Sequence, residues 1–290
     1  MLFYIIMNDF KFKKSYGQNF LNDNNIIENI VKKTEIEPDS LVIEIGPGAG
    51  ILTKELSKYA KNVLSYEIDS RLEEILDENL KDCHNIDIIF DDFLKRDIKE
   101  DISKYEYSNV YVVANIPYYI TTPILIKLID SKIDFNAITI MIQKEVGERF
   151  TAKVKTRNYS SITVFLNYYF DIIKLFDVSR NCFTPKPNVD SVVITLQRKK
   201  IKYNVIDEAF FFEFVREAFK YKRKNLRNNL KKYDLVVIEK VLNKYNKDLT
   251  NRAEELDISE FVDIVNQLKK DWGLFFLIFH IITRRWLYGY

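Results

Sequence analysis

The sequence predicts an α/β protein with a mostly parallel sheet, followed by a small C-terminal all-helical domain. Short apolar runs rich in β-branched residues alternate with amphipathic helical patterns from residue 23 to about 145. Such alternation is typical of a parallel sheet covered by helices on both faces. After about residue 205 only helical patterns remain. The chain has 290 residues, 47% of them hydrophobic, which is enough for one large domain and a smaller one.

The individual elements follow from the hydrophobic periodicity. The strands are predicted at Leu41–Ile45, Val63–Ile68, Ile86–Phe90, Val110–Asn115 and Ala137–Gln143, with helices near 23–33, 50–60, 70–80 and 121–131. Two longer strands, Ser161–Phe170 and Val189–Gln197, are expected to end the sheet as an antiparallel pair. Four helices follow at 207–220, 222–232, 234–245 and 257–270. We therefore expect an α/β domain over residues 1–200, a helical domain over 201–270 and an atypical apolar tail over 271–290.

Cysteine, histidine and hydropathy patterns bear on the cellular setting. Cys83 and Cys182 do not form a CxxC pair, so we expect a reduced, cytoplasmic protein without disulfide or zinc. His84 and His280 match no ligand spacing, and no metal site is predicted. The first residues lack the basic segment and cleavage site of a signal peptide. The apolar run 273–282 is shorter than the roughly 20 residues that cross a bilayer. A helix docked on the core is the favoured interpretation, with an atypical tail as the second and membrane contact as the third, so no membrane partner is expected.

A glycine-rich segment, EIGPGAG, joins the first of these strands to a helix. Glycine is needed where the chain turns sharply and a ligand approaches the backbone. We therefore expect Gly46 and Gly48 to adjoin a nucleotide-like cofactor in a Rossmann-like domain. Dehydrogenases use similar loops, but Pro47 between the glycines and Glu44 before them favour methyltransferases, whose cofactor has no pyrophosphate.

Acidic residues end the next two strands. Glu67 lies about 20 residues beyond the loop, where a carboxylate accepts hydrogen bonds from ribose hydroxyls. Asp69 is better placed to cap the helix that opens at Ser70. Asp92, in preference to Asp91, is expected to accept a hydrogen bond from the adenine amine of the cofactor, with Phe93 against the ring.

The fourth strand ends in Asn115-Ile116-Pro117-Tyr118. The exocyclic amine of adenine is a poor nucleophile because its lone pair is delocalised into the ring. Two acceptors, the Asn115 side-chain oxygen and the Ile116 carbonyl, would favour a pyramidal nitrogen whose lone pair points at a methyl donor. Pro117 fixes the backbone, and Tyr118 offers a face for stacking an extruded base. Alone, the motif is equally compatible with a plain strand end; after the glycine loop and the acids it indicates adenine methylation.

The chain resembles the ribosomal RNA adenine dimethyltransferases of the small-subunit (16S) type over about residues 11 to 265. The matching segments are SYGQNFL at 15–21, EIGPGAG at 44–50, YEID at 66–69, NIPYYITTP at 115–123, QKEVGERF at 143–150, CFTPKPNVDS at 182–191 and KRKNLRNNL at 222–230. The resemblance implies S-adenosylmethionine as cofactor, contacted by Gln18, Asn19, Leu21, Gly46, Glu67, Asp92 and Asn115, with Tyr118 stacking on the base. It also implies dimethylation of two adjacent adenines in a hairpin loop near the 3′ end of the rRNA, and a role in small-subunit biogenesis. We expect a monomer that acts on small-subunit rRNA and the immature subunit.

Two further features concern the RNA. The loop that contains Phe183 is stiffened by two prolines, and Phe183 either stacks opposite Tyr118 or packs in the core. Residues 198–232 hold twelve Lys/Arg and four Asp/Glu, the charge excess expected for phosphate contacts, although such a run also suits a solvated helix face. The predicted RNA contacts are Lys220, Lys222, Arg223, Lys224 and Arg227.

Four alternatives remain open. The closest is the sister group that methylates large-subunit rRNA and confers macrolide resistance, which shares the glycine loop and the NIPY motif. DNA adenine and protein glutamine methyltransferases have Pro where this chain has Ile116, and no target-recognition domain is evident here. A non-catalytic ribosome assembly factor would have no need of Asn115 and Tyr118. A dehydrogenase is disfavoured because no acid/base for hydride transfer lies near the loop.

Overall fold

The computed structural model describes residues 19–200 and 203–271. Gln18 and the apolar tail from residue 272 onward lie outside them. The described chain forms two compact units. The first, the sheet unit, comprises residues 19–147 and 171–198, and the second, the helical unit, comprises 148–170 and 199–271. None of the helices within the described ranges is long and apolar enough to cross a membrane.

Nine strands lie within the described residues. In chain order they are β1 (Phe20–Leu21), β2 (Ser40–Ile45), β3 (Asn62–Glu67), β4 (Ile86–Phe90), β5 (Asn109–Asn115), β6 (Ala137–Gln143), β7 (Phe170–Val178), β8 (Phe183–Thr184) and β9 (Ser191–Arg198). Seven of them form one sheet in the order β4-β3-β2-β5-β6-β9-β7, and β1 pairs with β8 in a separate two-stranded sheet. The strands β2 to β6 are parallel, and β9 is antiparallel to β6.

The helices, also in chain order, flank these strands and then form the helical unit. They are α1 (Asn24–Thr34), α2 (Ile51–Leu56), α3 (Glu73–Leu80), α4 (Ile98–Ile102), α5 (Thr121–Asp130), α6 (Lys144–Phe150), α7 (Ser161–Tyr169), α8 (Glu208–Ala218), α9 (Leu226–Asn229), α10 (Leu235–Leu242) and α11, described over 258–271. Single 3-10 turns occur between several of them.

The strand order places a topological switch in the middle of the sheet. After β4 the chain crosses back over β3 and β2 to add β5 on the other side of β2. Open parallel sheets bind ligands outside the carboxyl ends of the strands at such a point. All six residues of β2 are buried, as expected for a central strand covered on both faces. The five parallel strands predicted from the sequence are confirmed, each within one residue at either end.

The prediction of a strand over Ser161–Phe170 is wrong, because residues 161–169 form helix α7. The β-branched and aromatic residues suggested a strand, but local hydrogen bonds favour the helix. The Ser160 backbone N–H donates to the Thr163 hydroxyl, which in turn donates to the Arg149 carbonyl. The Asn167 amide donates to the Phe150 and Thr163 carbonyls. Tertiary contacts thus override the intrinsic preference of the segment.

Three further expectations also need correction. The strand that ends the sheet is β7, Phe170–Val178, which the sequence analysis missed. Residues 148–170, expected in the first domain, belong to the helical unit because rings of α7 pack against α8, with Phe165 and Phe212 centroids 4.9 Å apart. The helix expected over 222–232 is shortened to α9, which Asn225 caps by accepting a hydrogen bond from the Asn228 N–H at 3.2 Å.

The pairing of β1 with β8 joins residues far apart in sequence. Phe20 lies opposite Thr184 and Leu21 opposite Phe183. The Asn22 side chain donates to the Thr184 hydroxyl at 2.8 Å, and its backbone N–H donates to the Cys182 carbonyl at 2.9 Å. These contacts hold the described start of the chain against the sheet unit.

Candidate active site at the carboxyl edge of the sheet

A pocket lies at the carboxyl ends of β2, β3, β4 and β5, where the topological switch predicts a ligand site. It gathers most of the residues that the sequence analysis assigned to cofactor binding and catalysis. Those that line it are Asn19, Leu21, Gly46, Gly48, Glu67, Asp92, Asn115, Ile116 and Pro117. Residues that lie roughly 100 positions apart in the chain are therefore brought to one site.

The glycine loop shows two different reasons for its glycines. Gly46 has φ +76°, and a Cβ placed there would meet only the Asn115 carbonyl oxygen, at 4.0 Å. That side of Gly46 is open, as a closely approaching ligand requires. Gly48 has φ +59°, but a Cβ there would lie 2.5 Å from Cε1 of Phe20. The missing side chain at Gly48 therefore makes room for the protein's own Phe20 ring.

Glu67 ends β3 and is only 5% exposed. Its Oε2 accepts a hydrogen bond from the Gly48 backbone N–H at 3.2 Å, and its Oε1 accepts one from the Asp69 N–H at 2.9 Å. Burial raises the pKa of Glu67, while these two N–H donors act in the opposite direction. A carboxylate has about four acceptor sites, so Glu67 retains acceptor capacity for a ligand hydroxyl beside the N–H groups of Gly48, Asp69 and Ile68.

Asp69 caps the turn that opens at Ser70, as the sequence predicts. Its Oδ1 accepts from the Arg71 backbone N–H at 3.3 Å, and its Oδ2 pairs with Arg71 Nη2 at 2.6 Å. The carboxylate of Asp69 is therefore occupied by Arg71. Glu67, at the end of β3, is the neighbouring carboxylate that lines the pocket.

The loop after β4 carries both acidic candidates into the pocket lining. Asp92 caps a short 3-10 turn, its Oδ1 accepting from the Leu94 N–H at 3.0 Å, and its side chain remains 28% exposed. Asp91 accepts from the Asp92 N–H at 2.7 Å. Phe93 is buried with its ring 5.1 Å from that of Tyr66, in an edge-to-face arrangement.

A polar network behind this loop fixes its position. Tyr66 donates to Asp101 at 3.0 Å, Arg96 Nε donates to the same carboxylate at 3.1 Å, and Arg96 Nη1 lies 3.6 Å from Asp91. Burial alone would raise the pKa of Asp101, but the Arg96 and Tyr66 hydrogen bonds outweigh it and hold that pKa below its usual value. On the other side, Lys127 of α5 donates to the Leu94 carbonyl at 3.0 Å.

Asn115 ends β5, and its side-chain amide is oriented by the start of the described chain. Nδ2 donates to the Asn19 carbonyl at 3.2 Å. A carbonyl oxygen can only accept a hydrogen bond, so the nitrogen must face Asn19 and the oxygen Oδ1 is directed elsewhere. The next residue, Ile116, is held by a hydrogen bond from its N–H to the Met141 carbonyl at 3.3 Å.

The remaining residues of the motif follow at once. Pro117 precedes a single 3-10 turn, Tyr118–Ile120, in which the Ile120 N–H donates to the Pro117 carbonyl at 3.1 Å. The side chain of Tyr118 lies outside what the structure describes, and its stacking role stays a prediction. The neighbouring Tyr119 is 61% exposed and lines the pocket.

Phe183 is not available for stacking on a base. It is 4% exposed and packs in the core of the sheet unit with Leu21, Ile27 and Val193, and it is absent from the pocket lining. The expectation that Phe183 faces Tyr118 is therefore wrong. The residue instead anchors the pairing between β8 and β1.

The pocket is acidic. Its lining includes the carboxylates of Glu44, Glu67, Asp91 and Asp92, and it has no lysine or arginine among the described residues. A pyrophosphate group would be repelled here, whereas a ligand with positive charge would be attracted. The charge of the site therefore disfavours a nicotinamide dinucleotide.

The five predicted RNA contacts are exposed in the helical unit, and they differ in their ion pairs. Lys220 lies 3.4 Å from Glu217, and Arg227 lies 3.7 Å from Glu239. Lys222 donates to the Arg157 carbonyl. Lys222, Arg223 and Lys224 have no ion pair among the described residues, so their charges are less neutralised than those of Lys220 and Arg227.

Several residues of the pocket were not recognised from the sequence. The most important is Phe20, which packs on Gly48 and on α3. Glu44, which the sequence analysis noted only as part of the glycine motif, is buried below the loop and lines the pocket. The QNFL motif in the sequence indicates a cofactor-binding segment around Phe20. Only the structure shows that the Phe20 ring lies on the glycine loop.

Known proteins resemble this chain over most of its length. Residues 9–270 match the model of the family described as ribosomal RNA adenine dimethylase. The chain is 45% identical over 268 residues to the ribosomal RNA small subunit methyltransferase A of Bacillus mycoides, covering 89% of this chain and 92% of that protein. The protein of the same name from Bacillus anthracis matches to the same extent.

Two crystal structures resemble the whole fold. A dimethyladenosine transferase from Plasmodium falciparum gives a TM-score of 0.74 at 26% identity, covering 87% of this chain and 98% of that one. The 23S rRNA methyltransferase ErmE gives 0.69 at 28% identity, covering 87% and 100%. With the family model spanning nearly the whole chain and relatives 45% identical, this protein belongs to the ribosomal RNA adenine dimethylase family.

Proposed function

We propose that this protein transfers methyl groups from S-adenosylmethionine to the N6 atoms of adenines in small-subunit rRNA, two on each of two adjacent adenines. The observation that carries the proposal is the convergence of Gly46, Glu67, Asp92 and Asn115 on one acidic pocket at the switch point of the sheet. The similarity to small-subunit enzymes at 45% identity supports the choice of RNA.

The residues present fit this cofactor. The open side of Gly46 leaves room for a ligand against the backbone, and the carboxylates attract a cationic ligand that lacks phosphate. Glu67 would hold the ribose hydroxyls and Asp92 the adenine amine, with Asn19 and Leu21 closing the near side and Gln18 preceding them in the chain. When bound, S-adenosylmethionine supplies an electrophilic methyl group.

The catalytic contribution of the chain is to position the adenine amine. Asn115 Oδ1 and the Ile116 carbonyl accept its two hydrogens, which favours a pyramidal nitrogen with its lone pair available for attack. The Asn115–Asn19 hydrogen bond supports this role because it leaves Oδ1, rather than Nδ2, to face the substrate. Pro117 restrains the backbone, and Tyr118 stacks on the extruded base. The rate gain then comes mainly from orientation, and the surplus proton leaves to solvent after transfer.

The helical unit is proposed to bind the phosphates of the RNA. Among the predicted contacts, Lys222, Arg223 and Lys224 have no ion pair within the described residues. Phosphate contacts of this kind position an RNA without reading its sequence. A monomeric protein acting on the immature small subunit, in the cytoplasm, accords with this arrangement.

The test is methyl transfer from labelled S-adenosylmethionine to unmethylated small ribosomal subunits, with the product nucleosides resolved. Wild type should yield dimethyladenosine in the small-subunit RNA, and Asn115→Ala should not. Label in large-subunit RNA alone would overturn the proposal in favour of the activity named for ErmE. Tight subunit binding by wild type without transfer would leave a non-catalytic assembly factor.

A further inference from the structure

Tyr221 is an exposed aromatic residue in the connection between α8 and α9. Its side chain is 58% exposed, whereas the other phenylalanine and tyrosine residues of the helical unit, as far as it is described, are buried or half-buried. The ring is not part of the core of this unit. Its side chain makes no hydrogen bond, ring contact or cation–π contact with any described residue. The ring is thus available to a partner outside the chain.

The backbone that carries Tyr221 is held in a fixed turn. The Lys224 N–H donates to the Tyr221 carbonyl at 2.8 Å, which closes a β-turn over residues 221–224. The same carbonyl accepts from Asn229 Nδ2 at 3.3 Å, and Nδ2 also donates to the Ala218 carbonyl at 2.7 Å. Asn229 is buried. Because the turn is already ordered, less conformational entropy is lost when a ligand binds to it.

The same turn is strongly basic. Residues 220–224, the basic turn, have the sequence KYKRK and contain no acid. The first of their four cations pairs with Glu217. The other three are exposed and have no ion pair in the described part of the chain: Lys222, Arg223 and Lys224. Proteins bind single-stranded nucleic acid by combining cations along its backbone with aromatic rings that stack on its bases.

A second basic segment is fastened to this turn. Residues 151–158, the basic loop, also contain no acid, and their exposed cations are Lys153, Lys155 and Arg157. The Lys222 ammonium donates to the Arg157 carbonyl. Directly after the loop, the Tyr159 ring lies 5.9 Å from the ring of Phe219, which precedes the turn. The cationic surface therefore extends beyond the turn and can contact more than one phosphate.

We infer that Tyr221 stacks on an unpaired base of the substrate RNA, while the cations of the basic turn and the basic loop bind the phosphates on either side of that base. This base is not the target adenine, which the proposed function assigns to Asn115 and Tyr118. The inference rests on the proposed function and deepens it, because it makes the helical unit selective for single-stranded RNA. A paired base is covered on both faces by its neighbours, whereas an unpaired base offers a face for stacking.

An acidic protein segment is the other class of partner that these cations would attract. The exposed ring favours RNA over such a segment. Each nucleotide has a flat base and a phosphate, so a strand stacked on Tyr221 brings phosphates to the neighbouring cations on both sides. A carboxylate-rich peptide would pair with the cations but would leave the face of the ring uncovered.

The experiment compares the affinity of the full chain for two labelled RNAs by fluorescence anisotropy. One is a single strand of about ten nucleotides of mixed sequence, and the other is the blunt duplex of the same sequence. Tyr221→Ala should bind the single strand about 5- to 150-fold more weakly and the duplex nearly as well as wild type. Tyr221→Phe and Tyr221→Trp keep a ring and should retain the affinity. Since the side chain is exposed, the melting temperature should not change.

The salt dependence separates stacking from charge. Tyr221→Ala removes no phosphate contact, so the slope of log affinity against log salt should stay as in wild type. Arg223→Ala should weaken binding of both RNAs and reduce that slope by about 1. The matched control is Tyr59→Ala, which removes a tyrosine of the sheet unit that is 38% exposed and lies outside the basic turn and loop. This control should bind both RNAs like wild type.

Intact small subunits provide a kinetic readout. Tyr221→Ala should raise KM for unmethylated subunits and leave kcat unchanged, because the stacking contact is the same in the ground state and the transition state. Equal single-strand affinities for Tyr221→Ala and wild type would overturn the inference, even if KM for subunits rose, since that combination indicates a protein partner. An equal loss in Tyr221→Phe and Tyr221→Ala would overturn it too. Failure of wild type to transfer methyl groups would instead remove the proposed function, and the two RNA affinities would still test the stacking.

Discussion

The ring of Phe20 occupies the space that a side chain at Gly48 would need, since a Cβ there would lie 2.5 Å from Phe20 Cε1. The glycine loop is therefore packed from within the protein at residue 48 and open at residue 46. Gly48 is therefore required by packing inside the protein, and Gly46 by the approach of a ligand. Substituting each glycine in turn can distinguish these two requirements.

Gly48→Ala should destabilise the fold by about 2 kcal/mol or more, because a positive φ and a steric clash act together. Gly46→Ala has the strain of φ +76° without a clash, so we expect a loss of roughly 1–2 kcal/mol but a severe loss of S-adenosylmethionine binding. Urea unfolding and calorimetry measure the two effects. Adding Phe20→Ala to Gly48→Ala should recover part of the lost stability, and strict additivity of the two substitutions would contradict the packing argument.

Asn115 is expected to act through both atoms of its amide. Asn115→Ala removes the acceptor and the bond to Asn19, and should lower kcat for methyl transfer by about 10²-fold or more. Asn115→Asp keeps an acceptor but places a carboxylate oxygen against the Asn19 carbonyl, which repels it. We therefore expect the Asp variant to be nearly as inactive and to lose the hydrogen bond to the Asn19 carbonyl. Single-turnover kinetics check this, and wild-type rates in the Asp variant would show that the Asn19 contact is dispensable.

Asp101 should stabilise the loop that carries Asp91 and Asp92, and this effect should depend on pH. Its pKa in the folded protein lies below the usual value of 3.8, so its stabilisation is present above about pH 4 and is lost as the pH falls through the folded-state pKa. Asp101→Asn should cost about 1–3 kcal/mol of unfolding free energy at pH 7. Urea unfolding at pH 7 and near pH 3 measures the difference between variant and wild type. A difference that stays constant across this range would rule out ionisation of Asp101 as its source.

The basic residues of the helical unit should differ in their importance for RNA binding. Arg223 and Lys224 lack an ion pair among the described residues, whereas Lys232 lies 3.0 Å from Glu213. Alanine at 223 or 224 should weaken binding and reduce the slope of log affinity against log salt by about 1 each. Lys232→Ala, a matched control in the same basic run, should change the slope less. Filter binding of small-subunit RNA at several salt concentrations measures this, and equal slopes for all three variants would contradict it.

The parts of the fold that the sequence predicted well share one property. The strands β2, β3, β5 and β6 are almost wholly buried, and the edge strand β4 is half-buried. All five are short runs rich in apolar residues, which is the pattern expected of parallel strands covered by helices. The carboxyl ends of parallel strands lie at one edge of the sheet, so the sequence alone predicts that Glu67, Asp92 and Asn115 lie close together. The sequence predicts these strands well because the burial of the residues and their β-propensity both favour a strand.

The sequence was less informative where distant contacts decide the outcome. Residues 161–169 have the composition of a strand, yet Thr163 and Asn167 are satisfied by carbonyls of residues 149 and 150 and the segment is helical. Phe183 looked equally suited to stacking and to core packing, and its register opposite Leu21 settles the matter.

The pairing of β1 with β8 also has a consequence during synthesis of the protein. Phe20 is held over Gly48 by a strand whose sheet partner, within the described chain, is Phe183–Thr184. A nascent chain exposes the glycine loop early, but the near wall of the donor pocket forms only after residue 184 has left the ribosomal exit tunnel. Contacts of such long sequence separation form late. We therefore expect the nascent protein to bind its cofactor only when the sheet unit is almost fully translated. Truncated chains that end before β8 should bind the cofactor more weakly than the complete sheet unit.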